Sequence, residues 1–72
     1  MSVNLQYNYA AYDVATGKCT GVMTFSFTFD MAGWVQIPVY TNDYIDKYYN
    51  AADGLWYLDA EFTQLWADAP EW

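Results

Sequence analysis

Apolar and polar residues alternate along two segments in the first half of the chain, residues 3–14 and 21–30. A period of two residues is typical of a strand with one buried face. The apolar face of the first segment consists of Val3, Leu5, Tyr7 and Tyr9. That of the second segment consists of Met23, Phe25, Phe27 and Phe29. We expect both segments to be strands, with the phenylalanines in the core, because the opposite face carries polar residues.

Two turn signals share one spacing. Asp13 precedes Gly17 by four positions, and Asn50 precedes Gly54 by four, with Asp53 inside the second turn. An Asp or Asn followed by such a glycine suits a type I turn closed by a residue in the left-handed conformation. We therefore predict two hairpins, one joining the alternating strands and one joining the aromatic segments on either side of Gly54.

A third alternating segment covers residues 34–41. Pro38 has no N–H to donate to a neighbouring strand, so this strand is predicted to lie at an edge of the sheet. Thr41 and the Asn and Asp that follow it are residue types that cap helix starts. One short helical turn, reaching Lys47, is therefore expected after the third strand.

The last fourteen residues fit two structures. Asp59 is a suitable cap for a short helix that ends at Pro70, although residues 61–63 fit an extension of the preceding strand equally well. The apolar face of the helix would comprise Phe62, Leu65 and Trp66. The fold predicted overall is mainly β: one small antiparallel β-hairpin module of about five strands in residues 1–66, ending in a short C-terminal helix or tail, with residues 67–72 as the tail.

The size and composition of the chain favour association with other chains. A chain of 72 residues forms at most one domain with a thin core, which a disulfide, a metal or association usually stabilises. Cys19 is the single cysteine and there is no histidine, which excludes an internal disulfide and the usual zinc sites. Aromatic residues make up 22% of the chain, more than a thin core can hide, so some are expected to be exposed.

The net charge of -7 excludes most nucleic-acid-binding proteins, because Lys18 and Lys47 are the only basic residues. Seven acidic residues from Asp43 onward, against Lys47, give that part a charge of -6. A solvated acidic face that maintains solubility is the simpler interpretation, and an inhibitor that mimics nucleic acid is an alternative. The chain has no apolar run of the length that spans a bilayer, so no membrane insertion is expected.

The sequence offers little from which to build a catalytic site. Asp59 and Glu61 would share a strand face as a carboxylate pair, but a small chain has little material for a substrate cleft. Cys19 follows Lys18, yet without a histidine base a small buried side chain is the favoured interpretation. We therefore predict no enzymatic activity, no cofactor and no metal.

The remaining aromatic residues are candidates for an interface or a glycan-binding platform. Exposed Trp and Tyr side chains either anchor protein interfaces or stack on sugar rings. The candidates are Trp34, Tyr40, Tyr49, Trp56, Tyr57, Trp66 and Trp72. An interface is favoured because the small scaffold needs association, and a carbohydrate-binding module with Trp34, Trp56 and Tyr57 as platforms is the main alternative.

Several short motifs resemble small hairpin modules of tailed-bacteriophage virion proteins, such as tail and tail-fibre proteins. They are YAAYD at residues 9–13, KCTGV at 18–22, IPV at 37–39, KYYN at 47–50, and the later glycine and Trp56. The resemblance implies a non-enzymatic structural or attachment part of a virion, made in the bacterial cytoplasm and bound to other virion proteins or to copies of itself. In the alternatives, the chain binds host glycans or is a phage-encoded acidic inhibitor.

Overall fold

The computed structural model describes residues 6–72, so Val3 and Leu5 lie outside the described residues. The elements are β1 (Tyr7–Tyr12), β2 (Cys19–Phe25), β3 (Trp34–Ile37), a 3₁₀ turn (Asn42–Tyr44), β4 (Tyr48–Asn50) and β5 (Leu55–Tyr57). The strands form an antiparallel sheet with the order β2-β1-β3 and a second antiparallel sheet of β4 and β5. The predicted mainly β class with five strands is confirmed.

The first hairpin joins β1 to β2, with Ala10 opposite Val22 and Tyr9 opposite Met23. The register shifts after Ala11, where Thr20 is the extra residue of β2. Such a bulge bends a strand and increases its twist. The start of β2 is thereby able to pair with β1 on one side and with the second half of the chain on the other.

The face predicted for the core of β2 is the wrong one. Val22 is buried, whereas Met23 is half exposed. A two-residue period fixes which side chains share a face but not which face is covered. The segment predicted to run to Asp30 ends as a strand at Phe25, and the following residues fold back so that the Phe29 N–H donates to the Tyr9 hydroxyl at 3.0 Å. Phe25 and Phe29 consequently pack on the sheet face opposite the main core.

β3 is an edge strand, as Pro38 predicted, and it pairs only with β1 in the three-stranded sheet. It ends at Ile37, four residues before the predicted end at Thr41. Proline removes the next backbone donor, which explains why regular pairing stops there.

The two sheets are joined at the start of β2. The Cys19 N–H donates to the Lys47 carbonyl at 2.8 Å, and its carbonyl accepts from the Asp46 N–H at 3.1 Å. Lys18 also forms an isolated antiparallel bridge with Tyr48, the first residue of β4. Strand pairing therefore continues from the first sheet to the second.

The C-terminal helix predicted from Asp59 does not form, and residues 61–63 do not extend β5. The Asp59 carboxylate instead accepts from the N–H groups of Thr63 and Gln64, which closes a loop. Phe62 has a φ of 58°, a left-handed conformation that interrupts any helix. Leu65 then pairs with Tyr57 as an isolated bridge. The predicted apolar helix face of Phe62, Leu65 and Trp66 therefore does not exist.

The main core lies between the first sheet and the second half of the chain. Its buried members are Ala10, Cys19, Val22, Ile37, Tyr44 and Trp56. Tyr44 belongs to the short helical turn expected after Thr41, which forms as a 3₁₀ turn capped by the Thr41 hydroxyl but ends at Tyr44, before the expected end at Lys47. Although this turn is only three residues long, Tyr44 is 1% exposed and fills the centre of the core.

Candidate interaction surfaces

One surface is built on the sheet face opposite the main core. Tyr9 is almost fully buried there, stacked on Phe29 at 4.3 Å between ring centroids. Phe25 meets Tyr9 edge to face, and Trp34 meets Phe25 in the same way at 5.6 Å. We name this surface the β2 patch, and its members are Met23, Phe25, Phe27, Phe29, Met31 and Trp34.

The outer members of the β2 patch are strongly exposed for apolar side chains. Met23, Phe27 and Met31 are 50%, 56% and 60% exposed. Residues 19–29 contain no charged side chain, although the chain has a net charge of -7. An exposed apolar surface of this kind is typical of a binding site.

The backbone of β2 has a free edge beside this patch. The Tyr12 N–H donates to the Gly33 carbonyl in the β1–β3 ladder. The direction of the backbone N–H and C=O groups alternates from residue to residue along an antiparallel strand. The backbone groups of Tyr9 therefore point the other way, toward β2, where they meet Met23. Val22 and Thr24 therefore point their N–H and C=O groups outward, and no strand within residues 6–72 pairs with that side of residues 22–25.

A second surface is a groove between β3 and the C-terminal residues, with a volume of about 480 Å³. Val35 and Gln36 line one side, and Leu65 and Trp72 line the other. Trp72 is 82% exposed, and Leu65 is half exposed. We name this surface the C-terminal groove.

Trp56 is almost fully buried, contrary to its prediction as an exposed interface or glycan platform, although it contributes to the lining of the C-terminal groove. It is 9% exposed and packs against Tyr44 and Tyr49, with ring centroids 4.9 and 5.1 Å away. Alternation along β5 places Tyr57 on the opposite side, where it is half buried and donates its hydroxyl to Asp53 at 2.5 Å. Tyr57 is thus the residue of this pair that leaves the core.

Of the other candidate aromatics, Tyr49, Trp66 and Trp72 all line the C-terminal groove, whereas Trp34 and Tyr40 lie outside it. Tyr40 and Trp72 are exposed, whereas Trp34, Tyr49 and Trp66 are half buried. Tyr49 and Trp66 pack at the margin of the main core, and the Lys47 ammonium lies 4.8 Å from the centre of the Trp66 ring. Trp34 belongs to the β2 patch, so the candidates do not form one continuous platform.

The turn residues act as predicted. The Asp13 carboxylate accepts from the Ala15 N–H at 2.8 Å, and the Asp13 carbonyl accepts from the Gly17 N–H. Asn50 makes the equivalent bonds with Ala52 and Gly54, and Asp53 accepts from the Leu55 N–H. The glycines that close both turns have left-handed backbones. The shared spacing therefore reflects a shared turn structure.

The groups considered for catalysis are held in structural roles. Cys19 is fully buried, and this burial raises the pKa of its thiol, with the Asp46 carboxylate contributing in the same direction. Asp59 and Glu61 lie in a loop rather than on one strand face, and the hydrogen bond from the Thr63 hydroxyl lowers the pKa of the Asp59 carboxyl. No group of three or more potential metal ligands occurs in residues 6–72.

Several acidic side chains of the second half are also engaged locally. Asp46 lies 3.6 Å from the Lys18 ammonium, Asp53 accepts from Tyr57, and Asp59 accepts from Thr63. These contacts hold Asp53 and Asp59 against their own turns and Asp46 against the first hairpin. The arrangement favours structural roles over an array that mimics a phosphate backbone.

Sequence reasoning missed two features that shape these surfaces, the exposure of the β2 patch and the burial of Tyr44. Alternation alone assigns Met23 and its neighbours to a core. The sequence offered no signal for the opposite assignment, because a two-residue period does not show which of the two faces is covered. For Tyr44, no periodic pattern surrounds the residue, so its burial follows only from the tertiary fold.

Comparison of the chain with protein families, with curated proteins and with solved structures finds no match. The resemblance to virion hairpin modules therefore stays a prediction. Within the part of the chain that the structure describes, no helix is long and apolar enough to cross a membrane.

Proposed function

We propose that this protein is a non-enzymatic structural or attachment component of a multi-subunit assembly, namely a bacteriophage virion. The observation that carries the proposal is the exposed, uncharged β2 patch beside an unpaired strand edge. Covering these exposed apolar side chains with a neighbouring subunit removes them from water, which stabilises the assembly. The virion context comes from the resemblance of the hairpin motifs, and the association argument is independent of it.

The form of the molecule supports an assembly role. Its principal extents are 47 × 24 × 19 Å, with the β2 patch and the C-terminal groove as two separate apolar surfaces. A subunit with two such surfaces can contact two neighbours at once. All nine acidic residues lie outside the uncharged segment of residues 19–29, so contacts through that segment avoid like-charge repulsion.

Co-sedimentation with assembled particles tests the proposal. A tagged chain produced in a phage-infected host should travel with the virion fraction in a density gradient and remain there after a high-salt wash. A matched variant, Phe27→Ser, removes an exposed ring and should reduce incorporation without unfolding the chain. Absence of the unchanged chain from every particle fraction would exclude the proposal.

Glycan binding is a second candidate, favoured by the C-terminal groove. The exposed Trp72 ring offers a stacking face, and Gln36 and Glu71 line the same groove with polar groups that can bond sugar hydroxyls. Tryptophan emission should shift on titration with cell-wall glycans in this case, and Trp72→Ala should remove that shift. No response across a broad glycan panel would exclude this function.

A further inference from the structure

The free edge of β2 has the features of a strand that pairs with a copy of itself. On the basis of the association proposed above, we propose that two copies of this protein dimerise by antiparallel pairing of their β2 strands, with Met23 opposite the same residue of the second copy. This pairing would give one six-stranded sheet with the β2 patches of both copies on the same face.

The register follows from the direction of the backbone groups. Within residues 22–25, Val22 and Thr24 point their N–H and C=O groups outward, whereas the outward groups of Cys19 are already bonded to Asp46 and Lys47. In an antiparallel pair centred on Met23, Val22 of one copy faces Thr24 of the other, and each such pair exchanges both of its hydrogen bonds. A two-fold axis through this centre gives both copies the same hydrogen bonds, as expected for a homodimer.

Gly21 supplies a second, independent observation. Its φ is not in the left-handed region, and a Cβ built on it would meet no atom within 4 Å, so neither backbone conformation nor internal packing requires glycine here. In the proposed register Gly21 faces Phe25 of the second copy on the patch side of the sheet. Absence of a side chain at this position leaves room for that phenylalanine ring, which fits the role of strand glycines at close approaches.

Charge favours a second copy as the occupant of this edge. Each molecule carries a net charge of -7, which opposes self-association through most of its surface. Residues 19–29 contain no charged side chain, so β2 is a place where two copies meet without opposing carboxylates. A cationic partner would gain no attraction from this edge.

Charged substitutions at Met23 test the register directly. Sedimentation velocity over a concentration series should show a dimer for the unchanged protein and monomers for Met23→Glu and for Met23→Lys. An equimolar mixture of the two variants should restore the dimer, because opposite charges then face each other across the two-fold axis. Val14→Glu is the matched control, since Val14 is also an exposed apolar residue but lies in the first hairpin turn, outside the β2 patch, and it should leave dimerisation unchanged.

Gly21→Val provides a second test that does not depend on charge. Valine should be accommodated in the folded chain but should block the second copy's phenylalanine, so the variant should stay monomeric with an unchanged circular dichroism spectrum. A monomeric unchanged protein at high micromolar concentration, a dimer that persists in both Met23 variants, or a mixture that does not dimerise would each overturn the proposed pairing. A monomer that still travels with particles would overturn self-pairing alone, whereas a dimer absent from particles would overturn the proposed assembly role.

Discussion

The N–H of Tyr49 donates to the carbonyl of Gly17 at 2.8 Å, which joins the first hairpin turn to β4 through the backbone alone. Gly17 has a φ of +84°, and a Cβ built on it would lie 2.6 Å from the Tyr49 carbonyl oxygen. Both the backbone conformation and the close approach therefore require glycine. This contact joins the first hairpin turn to the strand that leads into the second, and the two turns have the same spacing in the sequence.

Gly17→Ala is expected to destabilise the protein more than Gly54→Ala. Gly54 also has a left-handed backbone, but a Cβ there would meet nothing closer than the Tyr49 hydroxyl at 3.9 Å. Its replacement should lower the free energy of unfolding by about 1–2 kcal/mol, the cost of the backbone conformation. Gly17→Ala adds a backbone clash and should cost more than about 3 kcal/mol. Equal losses in urea unfolding would contradict the importance of the Tyr49 contact.

Tyr44→Ala should unfold the protein or nearly so. The Tyr44 ring contacts Trp56 and Trp66 edge to face, with centroids 4.9 and 5.2 Å away. Removal of a buried aromatic ring costs about 3–5 kcal/mol, which is comparable to the whole stability expected of a chain this small. Tyr44→Phe keeps the ring and should retain the near-ultraviolet circular dichroism of packed aromatics. A folded Tyr44→Ala protein of nearly normal stability would show that the core is organised differently.

Alkaline pH should destabilise the protein through the same residue. Burial raises the pKa of Tyr44 to about 12, and the nearby Cys19 contributes in the same direction. Below the ordinary tyrosine pKa of about 10, both the folded and unfolded states are protonated and the stability is complete. As the pH rises from about 10 to 12, only the unfolded state ionises, so about 2 kcal/mol of stability should be lost. Urea unfolding at stepped pH measures this decline, and Tyr44→Phe should reduce it.

Local features of the fold could be predicted from the sequence, whereas its packing could not. Asp13, Gly17, Asn50 and Gly54 encode their turns through short-range hydrogen bonds and backbone conformation, which depend on a few adjacent residues. Pro38 likewise predicts an edge strand because its missing N–H is a local property.

Packing depends on which distant segment covers each face. The sequence correctly predicts that Val22 and Met23 lie on opposite faces of β2. The second half of the chain covers the face that carries Val22, not the face that carries Met23. The Asp59 region carries a helix cap signal, yet the chain forms a loop there, and Leu65 returns to β5 as an isolated bridge to Tyr57. For the candidate sites, the exposure of Tyr40 and Trp72 agrees with expectation, whereas Trp56 is inside because Tyr44 forms part of the same core.

The Cys19 thiol should be unreactive in the folded protein. It is fully buried, and burial raises its pKa, so both access and the thiolate fraction are reduced. A thiol-specific chromogenic reagent at neutral pH should react at the rate of unfolding, and addition of denaturant should make the reaction rapid. The destabilised variant Gly17→Ala should react faster than the unchanged protein. Rapid labelling of the folded chain would indicate that Cys19 is accessible.

Asp59→Ala should loosen the C-terminal segment while leaving the main sheet intact. The Asp59 carboxylate accepts from the backbone of Thr63 and Gln64, and this loop allows the Leu58 N–H to donate to the Gln64 carbonyl at 2.8 Å. The pKa of the Asp59 carboxyl is lowered chiefly by the hydrogen bond from the Thr63 hydroxyl. The loop should therefore be fully stabilised at pH values above the ordinary aspartate pKa, and it should open as the pH falls through the lowered pKa of Asp59.

Amide hydrogen exchange can separate this local effect from global unfolding. In Asp59→Ala, exchange should accelerate at the N–H groups of Leu58 and Trp66, because the Trp66 N–H donates to the Trp56 carbonyl only while the loop is closed. Exchange in β1 should remain slow. Glu61→Ala is the matched control, since it removes an exposed carboxylate from the same loop and should change neither amide. Equal acceleration in both variants would mean that overall charge, rather than the Asp59 hydrogen bonds, holds Leu65 against β5.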